Sequence, residues 1–427
     1  MKTNRINTMI KIFPIITVLF WVGCEDLDFS DPNNPTAETA VVQSLVTGAE
    51  AGLRVDIGVY LRNLLVVGRE AYYLEPADPR YTGELMRGPI DPGGFLLNRP
   101  WSANYKLIQN CLSLAESGDD GASGVGKTFH AYALMRVLSL TAEDGARLNY
   151  DGDITVDVAG EADVWDAIEN LLDDGNTNLA SAGDAFSFTL SSGFDGFDTP
   201  ETFAKFNRAL RARVAVHQDD WATASTALSN SFLDESEDLD VGVYHVFSSG
   251  SNDQGNEMYE AADADFVKLV VHPSYSTDAE GDLRFSSKVT TRVDTSGNPD
   301  ASEYDGLTSA LAPTIWSSSY DPVPIIRNEE LILLKAEVDI AGGATGGLAE
   351  INIVRVAHGL DEVASGGLDQ LLHEKRYSLL FEGQRLQDMR HYDKLDELPL
   401  DRTGLTDANG MPIPDDAVVT FPIPETE

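Results

Sequence analysis

The chain has 427 residues, of which 42% are hydrophobic, so it can bury one large core or two to three average ones. Seventy Asp and Glu residues stand against thirty Lys and Arg residues, which gives a formal charge of −40. A surface this negative repels phosphate backbones and argues against nucleic-acid binding. Because the acidic residues are spread along the chain, we interpret them as a sign of a halophilic protein, in which salt screens the self-repulsion.

The N-terminus has the pattern of an export signal. Residues 1–23 contain three basic residues and no acidic one, and the apolar run IFPIITVLFWVG ends just before Cys24. The run is short for a bilayer span and Pro14 interrupts it, so a retained transmembrane helix is the weaker interpretation. The sequence Val22-Gly23-Cys24 is similar to a lipobox, which predicts that Cys24 becomes the lipid-modified N-terminus and anchors the protein to a membrane.

Residues 24–36 are predicted to be an extended acidic tether, and Thr36 is the expected cap of the first helix. The spacing of apolar residues then predicts amphipathic helices that come in pairs, joined by short turns with Gly or Asp. These helices are predicted over about 102–117, 127–143, 162–174, 201–216 and 219–231. This pattern predicts a mainly helical fold.

Two stretches break the helical pattern, residues 68–100 and residues 235–325. Long irregular segments on a helical scaffold often carry function, and both stretches bear aromatic side chains, with arginines among those of the first. Aromatic faces stack on sugar rings and guanidinium groups donate to hydroxyls, which makes these side chains candidate ligand contacts. The candidates are Tyr72, Tyr73, Arg80, Tyr81, Arg87, Trp101, Trp316 and Tyr320. The alternative is that half or more of the rings simply cover the core.

Other motifs give no support for catalysis. Residues 121–128 read GASGVGKT, which matches the phosphate-binding P-loop pattern, but no strand precedes them and Asp119 and Asp120 would repel phosphate. We interpret the stretch as a glycine-rich turn between helices. The histidines show no zinc spacing, and Cys111 lies in an apolar helical run where a buried free thiol is expected. We therefore expect no catalytic residue, metal or cofactor, and we predict that the protein is not an enzyme.

The last quarter of the chain combines helical periodicity with charges among apolar residues. Residues 368–394 are predicted to form one long helix. Four of its charged residues are expected to form a partly buried ion-pair lattice, because an unpaired buried charge is costly: Glu374, Arg376, Glu382 and Arg385. Since Glu382 lies one turn before Arg385, the sequence predicts that Arg385→Ala sharply lowers the unfolding temperature. The alternative is a charged helix face in water.

Four ordered motifs in this region resemble the C-terminal signature of the RagB/SusD family of nutrient-binding outer-membrane lipoproteins. They are RNEELILLKAE from Arg327, NIVR from Asn352, EKRYSLLFEGQRLQD from Glu374 and the closing FPIPE from Phe421. The resemblance implies an all-α, tetratricopeptide-like domain over residues 37–427, with the two irregular stretches as insertions and the signature over 327–427.

The same resemblance implies a function in nutrient uptake. The protein would bind an oligosaccharide or peptide on the extracellular face of the outer membrane and act as a lid on a SusC-like TonB-dependent transporter. Two alternatives stay open. One is a helical-repeat lipoprotein that scaffolds other envelope proteins, and the other is a glycan-cleaving enzyme.

Overall fold

In the computed structural model the chain is mainly helical, with short strands confined to a few ladders. The structure describes residues 41–153, 155–250, 253–277, 279, 281–343, 345–404, 406, 411, 415–416 and 420–425. The predicted signal peptide, Cys24, the tether and Thr36 lie outside the described residues. The all-α prediction is confirmed, and Val42–Glu427 forms one compact unit.

The helices of the first half pack against their neighbours in sequence, as the paired pattern predicts. They are α1 (Val42–Arg54), α2 (Ile57–Val67), α3 (Glu84–Arg87), α4 (Phe95–Ala115), α5 (Asp120–Thr141), α6 (Glu161–Ser181), α7 (Pro200–His217) and α8 (Trp221–Ser229). Side chains cap several of them: Asp119 accepts the Ala122 N–H at 2.9 Å, and Thr199 and Thr202 form a capping box on α7. Helix α4 starts at Phe95 and runs through Pro100, a residue that the sequence places in a loop.

The interpretation of residues 121–128 as a turn is wrong, because this stretch lies within α5. Its glycines are explained by packing. A Cβ atom at Gly124 would meet the Leu179 side chain of α6 at 2.6 Å, and one at Gly126 would meet Leu114 Cβ of α4 at 2.7 Å. The glycines therefore allow three helices to approach closely, and residue patterns alone cannot separate this role from a turn.

The described strands pair into four antiparallel two-stranded ladders. The pairs are β1 (Ala71–Tyr73) with β3 (Leu269–Val271), β2 (Gly242–His245) with β8 (Val323–Arg327), β4 (Val289–Thr291) with β7 (Leu311–Pro313), and β5 (Ser302–Tyr304) with β6 (Leu307–Ser309). A short helix, α9 (Leu283–Lys288), precedes β4. Because β1 belongs to the first insertion and β3 to the second, this ladder joins the two irregular stretches, which the sequence did not predict.

The last quarter adds the helices α10 (Asn328–Ala341), α11 (Leu348–Ala357), α12 (Leu368–Ser378) and α13 (Arg385–His391). The prediction of one long helix over 368–394 is wrong, since residues 379–384 separate α12 from α13. Phe381 and Gly383 have positive φ angles of 70° and 75°. The Phe381 N–H donates to the buried Glu70 carboxyl at 2.8 Å, so a tertiary contact replaces the helical hydrogen bond at this residue.

Buried apolar side chains form three clusters. The largest lies among α1 and α4–α8, the second beneath the two insertions, and the third among α10, α11 and α12. Cys111 is a buried free thiol, as expected. None of the described helices combines the length and the apolar character needed to cross a membrane.

Candidate functional site

The two insertions meet at the end of β1. Tyr73 pairs with Leu269 in the β1–β3 ladder, and just beyond it the Glu75 carboxylate binds the Lys268 ammonium at 2.5 Å. Backbone pairing at this point holds residues nearly two hundred positions apart in one place. The side chains that project here therefore come from both irregular stretches.

Three aromatic rings and two guanidinium groups gather beside this ladder. The Tyr73 and Tyr81 rings meet edge to face at 4.5 Å, and the Tyr81 and Phe95 rings do so at 5.6 Å. Arg62 lies over the Tyr73 ring at 4.9 Å, and Arg80 lies over the Phe95 ring at 4.3 Å. We call these five residues the Tyr73 face. Three of them, Tyr73, Arg80 and Tyr81, are among the sequence candidates, so the structure brings these three together.

The charges on the Tyr73 face are balanced and partly open to solvent. Arg80 donates from Nε and Nη2 to Asp78 at 2.8 and 2.7 Å, and 42% of its side chain remains exposed. Arg62 is buried and pairs with Glu257 at 3.3 Å. Burial raises the pKa of Tyr73, and Arg62 opposes that shift, so the Tyr73 phenol is neutral at physiological pH. The face thus offers two half-buried rings, those of Tyr73 and Phe95, beside fixed hydrogen-bonding groups, while the Tyr81 ring that both contact is only 6% exposed.

Tyr320 lies in a second loop that is tied to the same region. It is 50% exposed, and the neighbouring Ser319 carbonyl accepts the Asn256 N–H at 2.7 Å. One residue further on, the Glu257 carbonyl accepts a hydrogen bond from Arg62 at 3.1 Å. A short run of backbone therefore links the Tyr320 loop to the Tyr73 face.

Three other predicted aromatics lie in the core. Tyr72, Trp101 and Trp316 are 3%, 3% and 5% exposed. The Trp316 N–H donates to the Pro322 carbonyl at 3.1 Å, and the Tyr72 ring meets His272 at 4.9 Å. The structure gives these rings packing contacts and does not bring them onto the Tyr73 face.

Arg87 lies in a separate charged group at the edge of the first insertion. Its guanidinium is 3.5 Å from Asp305 and 3.6 Å from Asp415. Arg402 binds the same two carboxylates at 2.6 and 2.7 Å. Arg87 therefore connects the first insertion to the second insertion and to the C-terminal region.

The charged side chains of the last quarter are paired, but with partners from other elements. Glu374 is fully buried between Arg284 and Arg355, each at 2.7 Å. Glu382 binds Arg327 at 2.8 Å and forms no described ion pair with Arg385, contrary to the predicted spacing. The reason is the break between α12 and α13, which places Glu382 and Arg385 outside a common helical turn.

The two arginines of the predicted lattice have different environments. Arg376 lies over the Tyr275 ring at 4.3 Å and donates to Ser274 Oγ at 2.7 Å. Arg385 is near Glu70 and lowers the pKa of that carboxyl, but burial is the larger effect and raises it to about 8. The lattice therefore has its centre at Arg327, which sequence reasoning treated only as part of a motif.

A concave site of about 220 Å³, which we call the Trp165 site, borders the helical half. Trp165 lines it with its ring stacked on His217 at 6.0 Å, and Glu143, Glu161 and Arg390 line it too.

Sequence reasoning missed Trp165 because it took aromatics only from the irregular stretches. It also missed Arg62, whose signal was a lone charge in the apolar run IGVYLRNLLVV. Among the described residues, no group of three or more His, Cys, Asp or Glu is placed to hold a metal ion.

Comparison with known proteins identifies solved structures that share this architecture. No family model and no curated protein matches the chain. A laminarin-binding SusD-like protein has 16% identity and a TM-score of 0.61 over 90% of this chain and 96% of its own. A SusD-like carbohydrate-binding protein from Bacteroides fragilis has 15% identity and a TM-score of 0.66 over the same shares.

A third solved structure is surface glycan-binding protein A from Bacteroides thetaiotaomicron, in complex with laminarihexaose. It has 14% identity and a TM-score of 0.66, and the match covers 90% of this chain and 96% of that one. At such identities a likeness establishes the fold. The resemblance to the RagB/SusD family that the C-terminal motifs indicate is therefore confirmed at the level of the fold, and this chain has the SusD-like fold.

Proposed function

We propose that this protein is a surface lipoprotein of the outer membrane that binds an oligosaccharide on the Tyr73 face. The observation that carries the proposal is a cluster of three rings, two of them half-buried, and two guanidinium groups beside the ladder that joins the insertions, on a fold shared with glycan-binding proteins. All five residues of this face lie between Arg62 and Phe95, and the β1–β3 ladder brings the second insertion, with Lys268, beside them.

The chemistry of the face fits a sugar better than a charged ligand. Ring faces such as that of Tyr73 pack against the C–H groups of a pyranose, and the half-exposed Arg80 can donate to its hydroxyls. The arginines are already matched by Asp78 and Glu257, so the face has no large excess of positive charge to attract an anion. A neutral glycan is therefore the favoured ligand, and a peptide is the alternative that the binding experiment distinguishes.

The remaining part of the proposal concerns the anchor and the partner. Cys24 would carry the lipid, and the protein would deliver its ligand, as a lid, to a SusC-like TonB-dependent transporter. Cys24→Ser should abolish acylation, so the protein should leave the outer-membrane fraction and lose surface labelling. The strain should lack the transporter in this test, because the transporter could retain the unanchored protein. If the Cys24→Ser protein stays in the outer membrane of such a strain, the proposal that Cys24 carries the anchor is wrong.

Binding is tested by calorimetry against a set of neutral glycans, including β-1,3-glucans, and a set of peptides. Tyr73→Ala should weaken glycan binding about tenfold or more, which corresponds to about 1.4 kcal/mol or more of lost contact. Tyr244→Ala is the matched control, since Tyr244 is a half-buried tyrosine in the β2–β8 ladder. The affinity of Tyr244→Ala for the glycan should equal that of the wild type.

Two further outcomes would change the assignment. If Trp165→Ala abolishes binding and Tyr73→Ala does not, the Trp165 site is the ligand site. If glycan is converted to shorter products, the protein is an enzyme and the binding proposal is wrong.

A further inference from the structure

A small polar cavity of about 20 Å³ lies between α2, α5, β8 and the segment that joins α12 to α13. The side chains that line it include Tyr60 of α2, Tyr132 and Arg136 of α5, Ile325 of β8, Gln384 of the joining segment and also His245 of β2. About 10 to 15 Å³ of such volume is enough for one water, so a volume of about 20 Å³ fits a single particle of that scale and is too small for a polyatomic ligand.

Arg136 is the unusual member of this lining. It is 2% exposed, and its Nη1 donates to the Leu53 carbonyl at 2.8 Å. Its guanidinium lies over the Tyr60 ring at 4.7 Å and within 5.9 Å of the Tyr132 ring. Its Nε and Nη2 have no acceptor, and it forms no ion pair, among the residues that the structure describes. A buried guanidinium without a counter-charge is costly, because ring contacts and one carbonyl replace only part of its hydration.

The other charges at the cavity are already neutralised. Arg213 is held by both oxygens of Glu330, at 2.6 and 2.7 Å, and Glu382 is paired with Arg327. His245 is uncharged, because burial, with a further contribution from Arg136, holds its pKa well below the usual value. No described carboxylate is therefore paired with Arg136, since Glu330 is held by Arg213 and Glu382 by Arg327.

We propose that the cavity binds one monovalent anion of chloride size, which accepts hydrogen bonds from Arg136 Nε and Nη2. The anion balances the guanidinium, and its position next to Gln384 lets it stabilise the contact between α5 and the segment that joins α12 to α13. A water molecule would fill the same volume but would leave the charge unbalanced. This site is independent of the Tyr73 face and of the proposed carbohydrate binding.

The first test compares sodium chloride with sodium methanesulfonate at equal concentrations, because methanesulfonate screens charge equally but is too large for the cavity. The unfolding temperature of the wild type should rise by about 2 °C for each tenfold increase in chloride above its dissociation constant, beyond the rise in methanesulfonate. Arg136→Met should lose this chloride-specific rise while keeping the general effect of salt.

The second test uses the wild-type protein alone, so it decides the question even if Arg136→Met fails to fold. Crystals soaked in sodium bromide should show an anomalous peak beside Arg136 Nε and Nη2. The proposal is overturned if no peak appears there. It is also overturned if chloride and methanesulfonate stabilise the wild type equally, since the cavity then holds water.

Discussion

Arg327 connects three parts of the structure, and its removal is the sharpest test of the ion-pair lattice. It ends β8, is 3% exposed, and binds Glu382 at 2.8 Å and the Ser378 carbonyl at 2.5 Å. It also pairs with buried Glu329 and reaches exposed Asp240 at 3.3 Å. Arg327→Met keeps much of the apolar stem and removes only the charge and its donors.

The expected loss follows from the two carboxylates that this change leaves in the core. Burial raises the pKa of Glu329, but Arg327 and a hydrogen bond from His358 outweigh burial and hold that pKa well below its usual range. Breaking a buried pair by removing one partner costs about 3–5 kcal/mol, against about 0–1 kcal/mol for an exposed pair. We expect a loss in the upper range, because Glu329 and Glu382 both lose their main cation.

The pH dependence of this loss has a definite sign. A carboxyl whose folded pKa is lowered stabilises the protein above its unfolded pKa, near 4.5, and this stabilisation fades as the pH falls towards the folded value. The difference between wild type and Arg327→Met should therefore be largest near neutral pH and shrink as the pH falls below about 4.5.

Urea unfolding at pH 7 and pH 4 in the same high-salt buffer measures both effects. Arg385→Met is the matched control, because Arg385 has no described ion pair and its neighbour Glu70, with a pKa near 8, is uncharged at pH 7. The control should lose about 1 kcal/mol or less. The sequence predicts a sharp loss at Arg385, whereas the structure moves that loss to Arg327. If Arg385→Met is the less stable variant, the structural argument is refuted.

Three other outcomes are expected. Gly126→Ala should lower the free energy of unfolding in urea by about 1–3 kcal/mol, because the new Cβ would lie 2.7 Å from Leu114 Cβ. Gly160 has open space around it, so Gly160→Ala should change that free energy by about 0.5 kcal/mol or less. Glu70 binds its proton more tightly when folded, so stability should fall as the pH rises from about 4.5 to about 8, and Glu70→Gln should flatten this slope. The unfolding temperature should rise between dilute buffer and molar KCl, and an unchanged or lower value would contradict the halophilic interpretation.

The sequence by itself determined the features that depend on local spacing. The 3.6-residue periodicity of apolar side chains located five helices of the first half, α4–α8, to within several residues, but it did not locate α2. The C-terminal motifs indicated the family fold, and the apolar run around Cys111 predicted a buried thiol. Each of these follows from residues that are neighbours along the chain, so pattern alone is sufficient.

Tertiary structure decided the partners of the buried carboxylates Glu374 and Glu382. The spacing of Glu382 and Arg385 suggests an ion pair, yet the Phe381 N–H bonds to Glu70, more than three hundred residues away, and the helix breaks there. Glu382 then pairs with Arg327 instead. A helical pattern cannot reveal such a break, because the competing acceptor is supplied by a distant part of the chain.

The candidate site also depends partly on local sequence and partly on tertiary structure. The composition of the irregular stretches identified Tyr73 and Arg80, which stay partly exposed, but equally identified Tyr81, Trp101 and Trp316, which the fold buries. The tertiary structure leaves Tyr73 half-buried and buries its neighbour Tyr72, although both belong to β1 and pair with β3. The physical reason is that ring type is a local property, whereas exposure depends on what the rest of the chain packs against each ring.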